Sequence, residues 1–145
     1  MNYSYTYSTS LRVRYGETDQ MGYCYYGNYA QYFEVGRVET MRSLSWPYKR
    51  IEEIGIMLPV TEFNIKYKFP AKYDDLLTVV TYIKQVKGVR IFFEYEIYNE
   101  ENNLICSGNT TLVFIDFKTR FPTAAPKQFL ESLSIYKLPD HDSGK

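Results

Sequence analysis

The spacing of apolar residues changes early in the chain. Over residues 11–15, apolar side chains alternate with arginines, which predicts a β-strand with one solvent-exposed face. From residue 28 to about residue 45, apolar side chains recur every three to five positions, which predicts a helix of about five turns. Asn28 is expected to cap this helix or to fix the preceding loop, and the helix should end before Pro47. The wide apolar stripe indicates that the helix packs against a sheet.

After Pro59 the pattern is almost entirely that of β-strands. Apolar and polar residues alternate along four segments, at residues 62–69, 76–86, 89–98 and 104–117. The intervening residues are rich in Gly, Pro, Asn and Asp, which predicts turns between antiparallel strands. Gly108 interrupts the last strand and predicts a β-bulge there. A short helix is predicted to begin near Pro126 and to end near Leu133.

The order of these elements predicts an α+β fold. A single long helix can bury a wide apolar stripe only against a sheet that curls around it. The sequence contains no internal repeat or linker, so residues 1–138 are expected to form a single domain and residues 139–145 a flexible tail. An antiparallel sheet has two edges and one uncovered face, which favours assembly into a homo-oligomer.

Composition narrows the class of function. Lys plus Arg and Asp plus Glu number 17 each, so no net field attracts nucleic acid or an anionic membrane. The first residues lack the basic and apolar regions of a signal peptide, and no apolar run is long enough to insert into a membrane. Cys24 and Cys106 have the spacing of neither a metal motif nor a disulfide framework. These features predict a reduced, cytoplasmic protein.

The chemistry is concentrated in the segment YGETDQMGYCYYGNY, at residues 15–29. It places Asp19 in a glycine-containing loop that leads into the predicted helix. Backbone N–H groups at a helix N-terminus carry partial positive charge and can polarise a carbonyl group. A nearby carboxylate can attack that carbonyl or activate water against it. Taken alone, Asp19 would more often be a turn residue, but its position also suits the hydrolysis of an activated acyl group.

Two motifs resemble those of the hot-dog-fold acyl-CoA thioesterases of the 4-hydroxybenzoyl-CoA thioesterase family. The first is RYxETDxxGxxYYxNY at residues 14–29, followed by Phe-Glu at residues 33–34. The second is FPAKYDDLLTV at residues 69–79. The resemblance extends over roughly residues 8–120. It implies a long central helix wrapped by a five-stranded antiparallel sheet, paired into homodimers or homotetramers.

The resemblance also implies a catalytic site without a cofactor or metal. Asp19 is its catalytic carboxylate, acting as nucleophile or as general base. The backbone N–H of Tyr26 or Gly27 binds the thioester carbonyl. Relatives often carry His or Pro at the position of Gly27, so any role of that histidine is absent here.

Ligand contacts follow from the same resemblance. Tyr25 and Tyr29 are assigned to the acyl pocket, although in a chain with 16 tyrosines Tyr25 fits a core or dimer-interface position equally well. Lys87 and Arg90, at a predicted strand turn, are the expected contacts to the CoA phosphates.

Several other residues have less specific expectations. Glu17 is predicted to be a surface residue at a strand end. Glu34 is predicted to pair with Arg37 at i+3, the alternative being that it faces the active site of a partner subunit. Cys24 is predicted to be a small core residue, because the only histidine, His141, lies in the predicted tail and cannot form a Cys–His pair with it.

The sequence therefore predicts an acyl-CoA thioesterase that forms a homo-oligomer with active sites at the dimer interface. One alternative is the hydrolysis of acyl carrier protein thioesters. A second is a non-catalytic hot-dog module that binds acyl-CoA as a ligand.

Overall fold

The structure is a computed structural model that describes residues 1–139. The strands are β1 (Asn2–Arg12), β2 (Ile56–Met57), β3 (Val60–Tyr67), β4 (Leu76–Lys87), β5 (Arg90–Tyr98), β6 (Leu104–Val113) and β7 (Ile115–Asp116). The α-helices are α1 (Tyr29–Ser43), α2 (Tyr48–Glu53) and α3 (Lys127–Leu133). Short 3-10 turns occur at Tyr15–Glu17, Tyr26–Asn28 and Ser134–Tyr136. Apart from Pro139, the predicted tail lies outside the described residues.

The five long strands form one antiparallel sheet in the order β1-β4-β5-β6-β3. The helix α1 lies against one face of this sheet, where alternate residues of β4 and β5 are buried. The strands β2 and β7 form a separate two-stranded sheet. This arrangement confirms the predicted α+β hot-dog fold. It also leaves β1 and β3 as the two edge strands.

Two glycines allow α1 to lie close to the sheet. A Cβ atom at Gly36 would stand only 2.5 Å from Thr81 Oγ1. A Cβ atom at Gly108 would stand 2.6 Å from Cε2 of Phe33, which projects from α1. Phe33 is fully buried and stacks on Tyr95, with 4.4 Å between the ring centroids. Both glycines therefore serve helix–sheet packing.

The prediction of a β-bulge at Gly108 is wrong. Gly108 remains in register opposite Tyr95 in β5 and Ile65 in β3. The pairing of β5 with β6 shifts nearer the hairpin, where Ile105 is the extra residue. The absent side chain at residue 108 makes room for a ring and does not interrupt the strand.

The first strand is longer at its N-terminus than predicted. It begins at Asn2, pairs with β4 along its length and ends at Arg12. Its early part alternates tyrosine with serine and threonine, which are residues that favour strands. These residues differ too little in hydrophobicity to give a clear alternating pattern, so the sequence did not predict this part of the strand.

The helical segments differ in part from the prediction. The helix α1 covers residues 29–43, and the chain then turns so that Trp46 is buried against Phe129 of α3. The predicted C-terminal helix is confirmed as α3. The helix α2 and the strand β2 fill the connection to β3, which the sequence pattern did not assign. Within the described chain, no helix has both the length and the apolar character needed to cross a membrane.

Candidate active site

The segment from Val13 to Asn28 joins β1 to α1 and is called the Asp19 loop below. It crosses the beginning of β4, where backbone hydrogen bonds hold it. The N–H of Val13 donates to the carbonyl of Asp75 at 3.0 Å, and the N–H of Cys24 donates to the carbonyl of Ala71 at 2.8 Å. The second motif of the sequence, at residues 69–79, is thus the support on which the first motif rests.

Asp19 lies in a tight turn of this loop. Its Oδ1 accepts hydrogen bonds from the N–H groups of Met21 at 2.9 Å and Tyr23 at 3.2 Å. The carbonyl of Asp19 accepts from the N–H of Gly22 at 3.0 Å. Gly22 has φ of 80°, a conformation that glycine adopts without steric cost. Oδ2 accepts no hydrogen bond from residues 1–139, so half of the carboxylate is available to a ligand.

Asp19 also borders an open surface depression. Its other lining residues are Tyr15, Gly16, Thr18, Gln20, Gly22 and Tyr73. The depression exposes the rings of Tyr15 and Tyr73, which pack edge to face with centroids 5.9 Å apart. The carboxylate is therefore accessible from solvent beside an aromatic surface.

The start of α1 offers free backbone donors. The 3-10 turn Tyr26–Asn28 leads directly into α1. Its hydrogen bonds run from the N–H of Asn28 to the carbonyl of Tyr25, and from the N–H of Tyr29 to the carbonyl of Tyr26. The N–H groups of Tyr26 and Gly27 donate to no acceptor in the described part of the chain. Such donors at a helix N-terminus can bind a carbonyl oxygen.

The tyrosines assigned to the acyl pocket have different environments. Tyr25 is 48% exposed, and its ring packs so closely on Gly27 that a Cβ atom there would stand 2.7 Å from Cε2 of Tyr25. Tyr26 is exposed as well, with its ring centroid 4.7 Å from that of Tyr25. Tyr29 is buried and packs against the rings of Tyr32 and Tyr67. Tyr25 thus adjoins the free N–H groups, whereas Tyr29 is a core residue.

The two predicted CoA contacts lie far from Asp19 within one chain. Lys87 and Arg90 are exposed and face each other across the β4–β5 turn. The Asp19 loop rests at Leu76, the opposite end of the 12-residue strand β4. At the rise of a β-strand, the two ends are separated by roughly 35 Å. The cations that do lie beside the loop are Arg12, Arg14 and Lys72.

Glu17 is buried, and the prediction that it is a surface residue is wrong. Its side chain is only 11% exposed. The carboxylate accepts hydrogen bonds from the Arg14 N–H at 2.9 Å, from the Arg14 guanidinium at 2.9 and 3.1 Å, and from the Tyr32 hydroxyl at 2.9 Å. Burial alone would raise the pKa of Glu17, but these hydrogen bonds outweigh burial and lower the pKa below its ordinary value.

The sequence pattern missed this cluster because Tyr32 falls within the apolar stripe predicted for the helix. The ring of Tyr32 is indeed buried in the stripe of α1. Its hydroxyl, however, reaches back from α1 to the loop. The available signal was the Arg–x–x–Glu spacing of Arg14 and Glu17, which brings the two side chains together around a single turn.

The side chain of Asn28 holds the loop rather than the helix. Asn28 makes no side-chain cap hydrogen bond to α1, so the capping prediction is wrong. Its Nδ2 donates instead to the backbone carbonyl of Glu17 at 2.8 Å. The same carbonyl accepts the N–H of Tyr25 at 2.8 Å. The alternative role, in which Asn28 fixes the loop, is therefore confirmed.

The predicted ion pair between Glu34 and Arg37 is also wrong. Glu34 is exposed and forms no salt bridge among the described residues. Arg37 is buried, and its guanidinium donates to the hydroxyls of Tyr48 at 2.8 Å and Tyr95 at 3.1 Å. Arg37 lies on the sheet-facing side of α1, where tyrosine hydroxyls accept the hydrogen bonds of its guanidinium. Glu34 lies on the exposed side of the same helix and does not form a salt bridge with it.

Cys24 is a core residue, as predicted. It is 6% exposed, and its Sγ lies 3.5 Å from the hydroxyl of Tyr32. Burial raises the pKa of its thiol, which disfavours the thiolate needed for nucleophilic attack. His141 lies outside the described residues.

Comparison with known proteins places this geometry in a family. The profile of the Thioesterase-like superfamily matches residues 13–133. The acyl-CoA thioesterase YbgC of Haemophilus influenzae is 36% identical over 124 residues, which cover 84% of this chain and 90% of that protein. The acyl-CoA thioester hydrolase YbgC of Escherichia coli is 28% identical over 120 residues, covering 83% of this chain and 90% of that protein.

A solved structure of a thioesterase is also similar to this chain. The DHNA-CoA thioesterase from Staphylococcus aureus superposes with a TM-score of 0.85 and 34% sequence identity, covering 90% of this chain and 89% of that chain. The fold, the Asp19 loop and these similarities together define a hot-dog thioesterase. The chain belongs to the thioesterase-like superfamily, and the prediction that it is a thioesterase is confirmed.

Proposed function

We propose that the protein hydrolyses acyl-CoA thioesters to the free acid and CoA, with Asp19 and the N–H groups of Tyr26 and Gly27 as its catalytic groups. One observation carries the proposal. The Asp19 loop presents a carboxylate oxygen that has no hydrogen-bond partner among residues 1–139. It leads into a helix start with two N–H groups that likewise lack an acceptor among those residues. The names of the relatives support acyl-CoA as the substrate.

The N–H groups stabilise the charge that develops on the thioester oxygen. When the carbonyl carbon is attacked, its oxygen becomes an oxyanion, and donors already fixed by the fold stabilise it without further reorganisation. Because these donors are backbone groups, the side chain of Tyr26 takes no part in binding the oxygen. The ring of Tyr25 packs on Gly27 beside these N–H groups.

Asp19 acts in one of two ways. As a nucleophile, Oδ2 bonds to the carbonyl carbon, the C–S bond breaks, the CoA thiolate leaves, and water then hydrolyses the mixed anhydride. As a general base, Oδ2 takes a proton from the attacking water and later returns a proton to the leaving thiolate. Both routes require the ionised carboxylate, and both yield the free acid and CoA.

A homodimer through β3 completes the site in this proposal. The edge strand β3 exposes Val60, Phe63 and Tyr67 by 44%, 41% and 49%. The 3-10 turn Tyr26–Asn28 is called the carbonyl-binding turn below. The hydroxyl of Tyr67 donates to the carbonyl of Tyr26 at 3.3 Å, so this edge adjoins the carbonyl-binding turn. Antiparallel pairing of two β3 strands would bury these side chains and satisfy the free edge.

The same dimer accounts for the distant phosphate contacts. A two-fold axis perpendicular to the sheet reverses the partner's sheet end for end. The β4–β5 turn of the partner subunit then lies at the same end as the Asp19 loop. The partner subunit's Lys87 and Arg90 would thus contact the phosphates of the CoA bound at Asp19, and each active site would need two chains.

Thiol release from a panel of acyl-CoAs tests the reaction. The panel contains short, long and aromatic acyl groups. It includes DHNA-CoA, for which the S. aureus relative is named, because Tyr25 and Tyr26 expose rings beside the free N–H groups. Acyl carrier protein thioesters are measured in parallel, and preference for them would favour the alternative substrate. Tight acyl-CoA binding without thiol release would contradict hydrolysis and favour a binding module.

The substitution Asp19→Asn tests the catalytic residue. Asn keeps the oxygen that accepts from the N–H groups of Met21 and Tyr23, so the turn should persist. We expect turnover to fall by on the order of a hundredfold or more, because the carboxylate is lost. Asp116→Asn is the matched control, since Asp116 accepts from the N–H groups of Lys118 and Thr119 in a similar turn outside the site. Near-normal turnover by Asp19→Asn would refute the proposed mechanism.

A further inference from the structure

Given the proposed function, on which this inference rests, we propose that Glu17 is a positioning residue that fixes Asp19 relative to the N–H groups of Tyr26 and Gly27. Catalysis by a carboxylate and an oxyanion-binding turn requires that the two keep a constant separation. Backbone hydrogen bonds hold the tip of the loop on residues 71–75. The buried contacts of Glu17 join the beginning of the loop to the turn that carries these N–H groups and to α1.

The backbone carbonyl of Glu17 brackets the carbonyl-binding turn. It accepts the N–H of Tyr25 at 2.8 Å and the Nδ2 of Asn28 at 2.8 Å. These two donors lie on either side of Tyr26 and Gly27 in sequence. A single oxygen atom therefore holds both ends of the turn whose N–H groups are free, and Asp19 follows two residues later along the same chain.

The side chain of Glu17 anchors that peptide group to the rigid part of the fold. Its Oε1 accepts the hydroxyl of Tyr32, which projects from α1, and the N–H of Arg14, which lies two residues after the end of β1. Its Oε2 accepts the guanidinium of Arg14. The helix and the beginning of the loop thus meet at one buried carboxylate. The lowered pKa of Glu17 keeps that carboxylate ionised and able to accept all four hydrogen bonds.

The role is distinct from that of a catalytic group, because Glu17 has only 11% of its side chain exposed and is enclosed by protein donors. A substrate cannot reach an oxygen that Arg14 and Tyr32 already occupy. A small displacement of the loop would nevertheless be costly for turnover, since misplacement by about 1 Å can lower a rate by on the order of a hundredfold.

Tyr32→Phe tests the anchor with the smallest change. It removes the hydroxyl that donates to Glu17 and keeps the buried ring. We expect kcat to fall on the order of tenfold while KM changes by less than about twofold, because positioning affects the transition state more than substrate binding. Tyr82→Phe is the matched control, since its hydroxyl also donates to a glutamate, Glu96, at 2.8 Å, but on the opposite face of the sheet. Its kcat should equal that of the wild type.

Substitutions of Glu17 provide a rescue test. Glu17→Gln retains an oxygen that can accept from Tyr32, whereas Glu17→Ala retains none. Positioning predicts that Gln preserves a larger part of kcat than Ala. It also predicts that the double variant Glu17→Ala/Tyr32→Phe is no slower than Glu17→Ala alone, because both changes break the same hydrogen bond.

The outcomes separate this inference from the proposed function. If Tyr32→Phe and Glu17→Ala lower the melting temperature but keep the wild-type kcat below it, Glu17 is structural only and the inference fails. In that case a slow Asp19→Asn variant would still uphold the catalytic assignment. If the wild type releases no thiol from any thioester, the proposed function itself fails.

Discussion

The carboxylate of Glu17 experiences opposing effects on its pKa. Burial raises the pKa, while hydrogen bonds from the Arg14 backbone and side chain and from Tyr32 lower it, and the hydrogen bonds prevail. A carboxyl group whose pKa is lower in the folded than in the unfolded state stabilises the fold above its unfolded pKa. That stabilisation is lost as the pH falls through the folded pKa. Glu17 should therefore contribute to acid sensitivity.

We predict that acid destabilises the wild type more than the Glu17→Gln variant. At pH 7 the wild type should have the larger free energy of unfolding. The difference should shrink as the pH falls below the ordinary glutamate pKa of 4.5, because the ionised form of Glu17 is then lost. Urea unfolding at pH 7 and at pH 4 or below, followed by circular dichroism, measures both values. If this difference in unfolding free energy stays constant over the pH range, the pKa of Glu17 is the same in the folded and unfolded states and the prediction is wrong.

Residues whose role depends on their own turn were predictable, and residues whose role depends on distant partners were not. The sequence predicts a glycine-containing loop around Asp19, and the φ of 80° at Gly22 agrees with a turn in that loop. Glu17 was misassigned because its partner Tyr32 belongs to another element. Arg37 was misassigned for the same reason, since the hydroxyls that satisfy it lie on α2 and β5. Sequence spacing shows which residues share a face, but it does not show where a buried hydroxyl points.

At the scale of elements, the strength of alternation decided which strands could be predicted. The strands β4 and β5 alternate buried and less buried residues along nearly their full length, and both were predicted almost to their ends. The first part of β1 alternates tyrosine with small hydroxyl residues, and it was missed. The short elements α2 and β2 span too few residues to show a period. The residues of β7 lie within the last predicted strand, but they form a separate strand that pairs with β2.

The exposed residues of the edge strand β3 predict where two copies of the chain pair in a homodimer. Phe63 on β3 and Tyr7 on β1 are similarly exposed, by 41% and 39%, and lie on opposite edges of the sheet. We expect Phe63→Lys to weaken or abolish the proposed dimer, because a charge would be buried between paired strands. Tyr7→Lys should leave the dimer intact. Sedimentation equilibrium measures the oligomeric state of both variants. If Tyr7→Lys is a monomer and Phe63→Lys is a dimer, the interface lies on β1 and the prediction is wrong.

At the scale of the whole molecule, the separation between Asp19 and the β4–β5 turn is the reason that the proposed CoA site is divided between two subunits. A ligand that contacts both Asp19 and Lys87 of one chain would have to run the length of β4. A ligand that contacts Asp19 of one chain and the β4–β5 turn of its partner stays at one end of the dimer. Shared sites of this kind can be tested by mixing two inactive variants.

We predict that Asp19→Asn subunits and Lys87→Ala/Arg90→Ala subunits restore activity when they are mixed. A hybrid dimer would contain one site with an intact Asp19 and the partner's intact cations. Random pairing of equal amounts makes half of the dimers hybrid, so activity at low acyl-CoA concentration should recover to about a quarter of the wild-type value. The subunits are unfolded and refolded together, with each variant refolded alone as the control. If the cations served Asp19 of their own chain, neither site of the hybrid would be complete, and mixing would restore nothing.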